Sequence, residues 1–346
     1  MTKKKHLTER QHQRIAANQK KRFVRAEKPE GAEQDLDLFA ESEPGLVISR
    51  FGQHADIEAT DGSVHRCSLR RVINSLVTGD KVIWRRAKAA NSTPAGVVEA
   101  AADRESVLVR PDFYDGLKPV AANIDLMIIV SAVLPVFSSN IVDRYLIAAE
   151  AMHIKPLLLL NKVDLLTAED RTALEQQLQM YTSLGYDFLL LSAKTGEGTL
   201  QLNNYLQQGC SIFVGQSGVG KSSLLNAVLP GIDAITQEVS EVSGLGQHTT
   251  TTARLYHLPQ GGDLIDSPGI REFALWHLEP EQVAAAYPEF QPWLGRCKFR
   301  DCKHQNDPGC ALQHAVSQGD IHPERFHNYH KILLSMQQDK PNYFSN

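Results

Sequence analysis

The chain has 346 residues, with 36 Lys+Arg against 40 Asp+Glu, 42% hydrophobic residues and five cysteines. At about 100–200 residues per domain the length implies two or three domains, and a charged fraction of 22% excludes a wholly disordered chain. A net charge of -4 argues against a nucleic-acid partner only if it is evenly spread; residues 1–28 hold ten Lys/Arg and two Glu, a +8 arm that leaves -12 on the remainder.

The N-terminus is basic, but no apolar segment of a secretory signal follows it. The most apolar stretch, 126–137, is twelve residues long and contains Ser131 and Pro135. A bilayer needs about 20 apolar residues, so no membrane attachment is expected. Three cysteines cluster beside a histidine, which predicts metal binding in a reducing compartment and a cytoplasmic protein.

Residues 1–35 read as a basic flexible arm. From 36 to 110, short strands at 45–51, 54–59, 64–69, 81–86, 96–101 and 106–109 are separated by turns such as Asp61-Gly62 and Gly79-Asp80. Such strands without a helical period predict a small barrel, of the oligonucleotide-binding (OB) type first, although an SH3-like barrel leaves much the same trace. Its cations Arg66, Arg70, Arg71, Lys81, Arg85, Arg86 and Lys88 group together, with Phe51 and Trp84 as rings on which bases could stack.

From 111 to 276 the rhythm changes. Apolar runs at 124–130, 156–160, 188–191 and 211–214 alternate with helical stretches at 140–152, 168–184 and 221–228. This predicts an α/β domain with a mostly parallel sheet covered on both faces, and ligands at the carboxyl ends of its strands.

Three loops at such strand ends carry chemistry. Asn161-Lys162-Val163-Asp164 follows the run 156–160. Its carboxylate can accept two hydrogen bonds from guanine N1–H and the exocyclic amine, a donor pair that adenine lacks. Ser192-Ala193-Lys194 fits a second base loop, offering an N–H to guanine O6. The segment Gly215-Gln216-Ser217-Gly218-Val219-Gly220-Lys221-Ser222-Ser223 contains G-x-x-x-x-G-K-[ST] between a strand and a helix. Its glycines let backbone N–H groups curl around phosphate, with the helix N-terminus behind them. Lys221 would reach the β/γ-phosphates and Ser222 would ligate Mg²⁺.

Residues 244–252 form a small polar loop containing His248 and a run of four threonines. Thr250 is the first candidate Mg²⁺ ligand and Thr251 the next. Asp266-Ser267-Pro268-Gly269 follows a strand at 263–265; its Asp would hold Mg²⁺ through water, and Gly269 would present an N–H to the γ-phosphate. Ile270 stands where signalling GTPases carry a water-positioning Gln, so His248 is the candidate to position or deprotonate the water. Lys221, Thr250 and His248 are thus the expected catalytic set.

The final stretch, 277–346, contains Cys297-x₄-Cys302-x-His304-x₅-Cys310. Four soft ligands within fourteen residues fit a closed structural zinc site, with His314 as the alternative fourth ligand. Apparent binding energies of about 10–16 kcal/mol would make the metal the main support of a helix-poor segment. Cys67 and Cys210, alone in strands, read as core. Lys298, Arg300 and Lys303 interleave with the ligands, and Arg325, His327, His330 and Lys331 follow, adding a further basic surface.

The order is unusual: both base loops precede the phosphate loop, the threonine run and Asp266–Gly269. This order resembles the circularly permuted GTPases of ribosome assembly, and with both flanking regions the chain is similar over nearly its whole length to their RsgA/YjeQ type. The resemblance implies a GTP-hydrolysing factor in late maturation of the small ribosomal subunit. It also implies rRNA binding through the flanking domains, slow intrinsic turnover stimulated by the subunit, and release after hydrolysis; the chain is expected to be a monomer. A GTP-gated RNA-binding chaperone, or a GTPase acting on another RNA such as tRNA, would share many of these motifs. Permutation also sets the γ-phosphate-sensing segments next to the C-terminal module.

Overall fold

The structure is a computed structural model, and it describes residues 38–339 except 71–72, 74, 90–91, 113–115, 232–252, 268–274, 276 and 306. The basic arm, Arg71, His248, Thr250, Thr251, Gly269 and Ile270 lie outside the described residues. Among the described residues no helix is long and apolar enough to cross a membrane.

Five strands close the N-terminal barrel: β1 (Phe39–Phe51), β2 (His54–Ala59), β3 (Val64–Leu69), β4 (Lys81–Ala87) and β5 (Gly96–Ala101). The circuit runs β1-β2-β3-β5-β4 and returns to β1, with β3 and β5 parallel and the other pairs antiparallel. This is the OB-like closure expected of the segment. Strand β1 serves both edges because register shifts at 39/42 and 47/49 bend it around the barrel.

Trp84 is 0% exposed and fills this core, beside Val47, Ile57, Cys67 and Val98. A Cβ on either Gly45 or Gly96 would come within 2.8 Å of its ring, so two glycines leave it room. Trp84 is therefore a core residue and not a base-stacking ring. The run at 106–109 also departs from expectation: it begins β6 (Val107–Asp112), which pairs antiparallel with β7 (Gly116–Ala122) outside the barrel circuit.

The α/β part of the same sheet has the order β10 (Phe188–Leu190), β9 (Lys155–Asn161), β8 (Leu126–Ala132), β11 (Cys210–Val214), β13 (Asp263–Asp266), β12 (Arg254–His257). All its pairs are parallel except β12 with β13. Strand alternation sends Met127 and Ile129 into one core and Leu126, Ile128 and Val130 into another, so both faces are covered. The helices are α1 (Ser139–Ala151), α2 (Ala168–Thr182), α3 (Thr199–Leu206) and α4 (Lys221–Val228). Strand β12 also meets β1, at Arg254 opposite Ser49, so barrel and sheet are continuous.

The C-terminal part is not helix-poor. It carries α5 (Pro280–Ala285), α6 (Ala311–Gln318) and the 17-residue α7 (Pro323–Asp339). Arg325, Tyr329, Ile332 and Met336 are buried at helical spacing, and the last three share one core cluster with Ile147 of α1. Apolar packing against the α/β domain thus supports this region alongside any metal.

Candidate nucleotide site and metal centre

The phosphate loop leaves β11, all five of whose residues are buried, and enters α4 at Lys221. Its turn depends on glycine. Gly215 has φ +145°, and a Cβ there would lie 2.2 Å from the Val130 carbonyl; Gly220 has φ +95°, and a Cβ would lie 2.4 Å from Asn161 Nδ2. Val219 is buried, whereas Ser217, Gly218, Ser222 and Ser223 are exposed and Gln216 half-buried. The Lys221 ammonium donates to the carbonyls of Gly215 (2.6 Å) and Gln216 (2.7 Å), folded back on its own loop.

Asn161 ends β9 and is buried. Its Nδ2 donates to the Val219 carbonyl at 3.0 Å, while its Oδ1 accepts the N–H of Lys162 (2.8 Å) and of Ala193 (3.1 Å). One side chain therefore ties together both predicted base loops and the phosphate loop. Lys162 has φ +66° and stretches its Nζ to the carbonyls of Gly218 and Leu134, each at 2.6 Å. Asp164 is exposed, and one of its oxygens accepts the buried Ser192 hydroxyl at 2.6 Å. That hydroxyl in turn accepts the Thr195 N–H at 3.2 Å, which fixes its orientation. Lys194 is exposed on the same loop.

The positioning roles of Ser192 and of the Leu134 carbonyl are not visible in the sequence. A hydroxyl in a strand-end loop and a backbone oxygen carry no signal of their own.

Asp266 closes β13, half-buried. Burial raises its carboxyl pKa above the ordinary value, and the positive charge of Lys221 opposes that shift. A carboxylate that is costly to ionise without a cation nearby suits a site that receives Mg²⁺. His248, Thr250 and Gly269, the remaining hydrolysis candidates, lie outside the described residues.

The soft ligands converge. His304 Nδ1 lies 3.5 Å from the sulfurs of Cys297 and Cys302 and 3.4 Å from that of Cys310, and all four ligand atoms lie within 4.8 Å of one another. Tetrahedral zinc, with bonds of about 2.3 Å to sulfur and about 2.0–2.1 Å to nitrogen, separates its ligand atoms by about 3.5 Å. The geometry fits zinc. Burial lowers the His304 pKa from 6.5, which favours the neutral ring a metal needs. His314 instead is exposed and sets its ring edge-on to Trp293, so it is not the fourth ligand.

The predicted basic surfaces divide into exposed and internally spent charge. Arg85 is buried and donates to the Ala40 carbonyl at 2.7 Å. Arg66 pairs with Asp56 (2.8 Å) and covers the Phe51 ring at 4.8 Å, which removes Phe51 as an open stacking surface. Arg70, Arg86 and Lys81 pair with Glu99, Asp61 and Glu105. Arg325, 1% exposed, is bound by Asp143 and Glu289, and half-buried His330 packs edge-on to the Phe326 ring. Lys298, Arg300 and Lys303 remain exposed within the Cys₃His segment, with Phe299 46% exposed among them, and His327 and Lys331 are exposed on α7.

Comparisons with known proteins agree with this architecture. The RsgA GTPase family model matches residues 101–276. The chain is 57% identical over 345 residues to "Small ribosomal subunit biogenesis GTPase RsgA 1" of Vibrio parahaemolyticus, covering 99% of this chain and 97% of that protein. It is 55% identical to the RsgA of Haemophilus influenzae, covering 97% of each chain. Among solved structures, YjeQ from Thermotoga maritima superposes with a TM-score of 0.69 at 31% identity, over 86% of this chain and 99% of that one. YloQ, described as a circularly permuted GTPase, superposes with a TM-score of 0.68 at 27% identity, over 87% of this chain and 97% of its own. With the motif order, the barrel and the Cys₃His cluster all in agreement, this chain belongs to the RsgA GTPase family.

Proposed function

We propose that the chain binds GTP between its two base loops and its phosphate loop, hydrolyses it, and in doing so serves late maturation of the small ribosomal subunit. The observation that carries the site is the Asn161 amide, which joins the three loops at 2.8–3.1 Å. Asp164, held by Ser192, reads the guanine edge, and the Ala193 N–H meets guanine O6. The N–H groups of residues 216–222 cradle the phosphates, with Lys221 turning from its own loop to the β/γ oxygens. Ser222, Thr250 and Asp266 are the residues that would hold Mg²⁺, which when bound neutralises charge on the β- and γ-oxygens. Gly269 contacts the γ-phosphate, and His248 orients or deprotonates the attacking water. Cys297, Cys302, His304 and Cys310 would hold a structural zinc, closed to substrate by having four protein ligands.

The partner follows from the relatives' names together with the exposed cations around the metal centre and the +8 arm. Backbone-dominated binding of rRNA by a cytoplasmic monomer, with hydrolysis stimulated by the subunit and coupled to release, fits this distribution. The division into an arm at 1–35, a barrel at 36–110, a GTPase domain at 111–276 and a zinc-binding domain at 277–346 is part of the same reading.

The test is co-sedimentation with separated small and large subunits in GDP, GTP and a non-hydrolysable analogue, alongside hydrolysis rates. Binding to small subunits with the analogue, faster turnover on them, and slow turnover of His248→Ala at near-normal nucleotide affinity are expected. Equal binding to both subunits with no stimulation would overturn the partner; normal turnover of His248→Ala would overturn its role.

A further inference from the structure

The first turns of α1 and the first turns of α7 meet in a buried polar seam. Asp143, 0% exposed, accepts from Arg325, from Asn328 Nδ2 at 2.8 Å and from the Tyr181 hydroxyl at 2.9 Å. Arg325 bridges onward to Glu289 at 2.7 and 3.2 Å, with its guanidinium 4.4 Å from the Tyr287 ring centre. At the start of α1, the Ser139 hydroxyl donates to Glu324 and accepts from Asn328 at 3.0 Å. A buried charge cluster of this kind is poor glue compared with apolar packing, but it holds its partners in one register. Shifting α7 would strand Asp143 without its cation, so the seam favours docked or undocked over intermediate positions.

The loop that enters α1 at this same end leads to the nucleotide site. The Lys162 ammonium is shared between the Leu134 carbonyl, in the loop that enters α1, and the Gly218 carbonyl of the phosphate loop. The Val133 N–H donates to the Asn161 carbonyl at 3.2 Å, anchoring the same loop to β9. Only residues 135–138 separate Leu134 from Ser139, so the loop is a short strap with little slack. Whatever fixes Lys162 and the 215–220 turn therefore acts, through Leu134, five residues before the seam's Ser139.

We infer that α1 links the base side of the nucleotide site to the C-terminal helix α7: occupancy at Lys162 tightens the docking of α7, and docking of α7 tightens nucleotide binding by the same factor. The route runs through Lys162, Leu134, Ser139 and Asp143 and needs no γ-phosphate, so GDP alone operates it. It rests on nucleotide binding between the loops proposed above.

The test is amide hydrogen exchange of residues 323–339 in the full chain, without nucleotide and with saturating GDP, and with fluorescent-GDP affinity measured in parallel. The expected result is at least about threefold slower exchange with GDP. In Glu324→Gln and Arg325→Lys that protection shrinks and GDP affinity falls by a matching factor, while the β8–β10 strands keep their exchange rates. Should Arg325→Lys fail to fold, Glu324→Gln alone decides, because it alters only the Ser139 contact at the half-buried edge. Exchange unaffected by GDP in a chain that binds it, protection seen only with GTP, or full protection retained by the foldable variants would each overturn the link. Absence of GDP binding would overturn both the link and the site.

Discussion

Asn161 illustrates how little of a candidate recognition residue's work needs to involve the ligand. Its three hydrogen bonds all stay within the protein, and each neutral bond of this kind is worth about 1 kcal/mol, with a further 1–3 kcal/mol or so for an orphaned buried partner. Asn161→Ala should therefore loosen three loops at once and weaken GDP at least about tenfold. A fluorescent-GDP titration checks it; unchanged affinity would show that the loops hold their places without the amide. Such residues are legible in the sequence because the chemistry fixes both their type and their spacing. Trp84 and Arg325 were not legible in that way. Each has the composition of an RNA-contacting side chain, and each is buried by partners remote in sequence: Gly45 and Gly96 make room for the indole, and Asp143, 182 residues away, claims the guanidinium. A side chain's surroundings are a property of the fold, and neither periodicity nor local charge reports them.

Among the elements, α6 and the metal loop are built together. Cys310 is a candidate ligand and also the residue before the helix, and the first helical N–H, of Ala311, points to the Cys297 sulfur at 3.4 Å. A helix N-terminus facing thiolates stabilises their negative charge. Removing the metal with a chelator, or replacing Cys302 with Ser, should therefore open exchange over residues 297–318. Helix α7 should keep its protection, because its apolar face lies in the α/β core. Hydrogen exchange with and without chelator checks this; equal loss in α6 and α7 would mean that the metal supports both. The contrast also explains what the pattern concealed. Helix α4 begins and ends where its sequence predicts, after a Gly-rich turn and across Leu224, Leu225 and Val228. Helix α7 hides because Arg325 occupies the first position of its buried stripe, and β12, four residues long, is too short to show a period.

Across the whole molecule, His257 bridges the barrel and the α/β domain. On β12, its ring meets Asp263 of the same sheet at 2.6 Å and Glu58 of the barrel at 2.8 Å. Burial favours the neutral ring, but the hydrogen bonds to the two carboxylates outweigh it, and the pKa is raised from 6.5. A raised folded-state pKa means the bridge is at full strength below pH 6.5 and is lost as pH rises through the higher folded value. Because the ring is 52% exposed, the effect is under about 1 kcal/mol. The melting temperature of wild type should exceed that of His257→Gln near about pH 6 and converge with it near about pH 9; a constant difference would assign the residue a role independent of charge. The permuted sheet order has a further consequence, during synthesis. Strands β8, β9 and β10 are consecutive in the chain and adjacent in the sheet, whereas β11 joins the opposite edge of β8 and β13 joins only after that. Since chains emerge N-terminus first and local contacts form fastest, the half that carries the two candidate base loops can condense on the translating ribosome as an unfinished sheet. The half with the candidate phosphate loop then completes it, so on the proposed site a nascent chain cannot capture the nucleotide until that half exists.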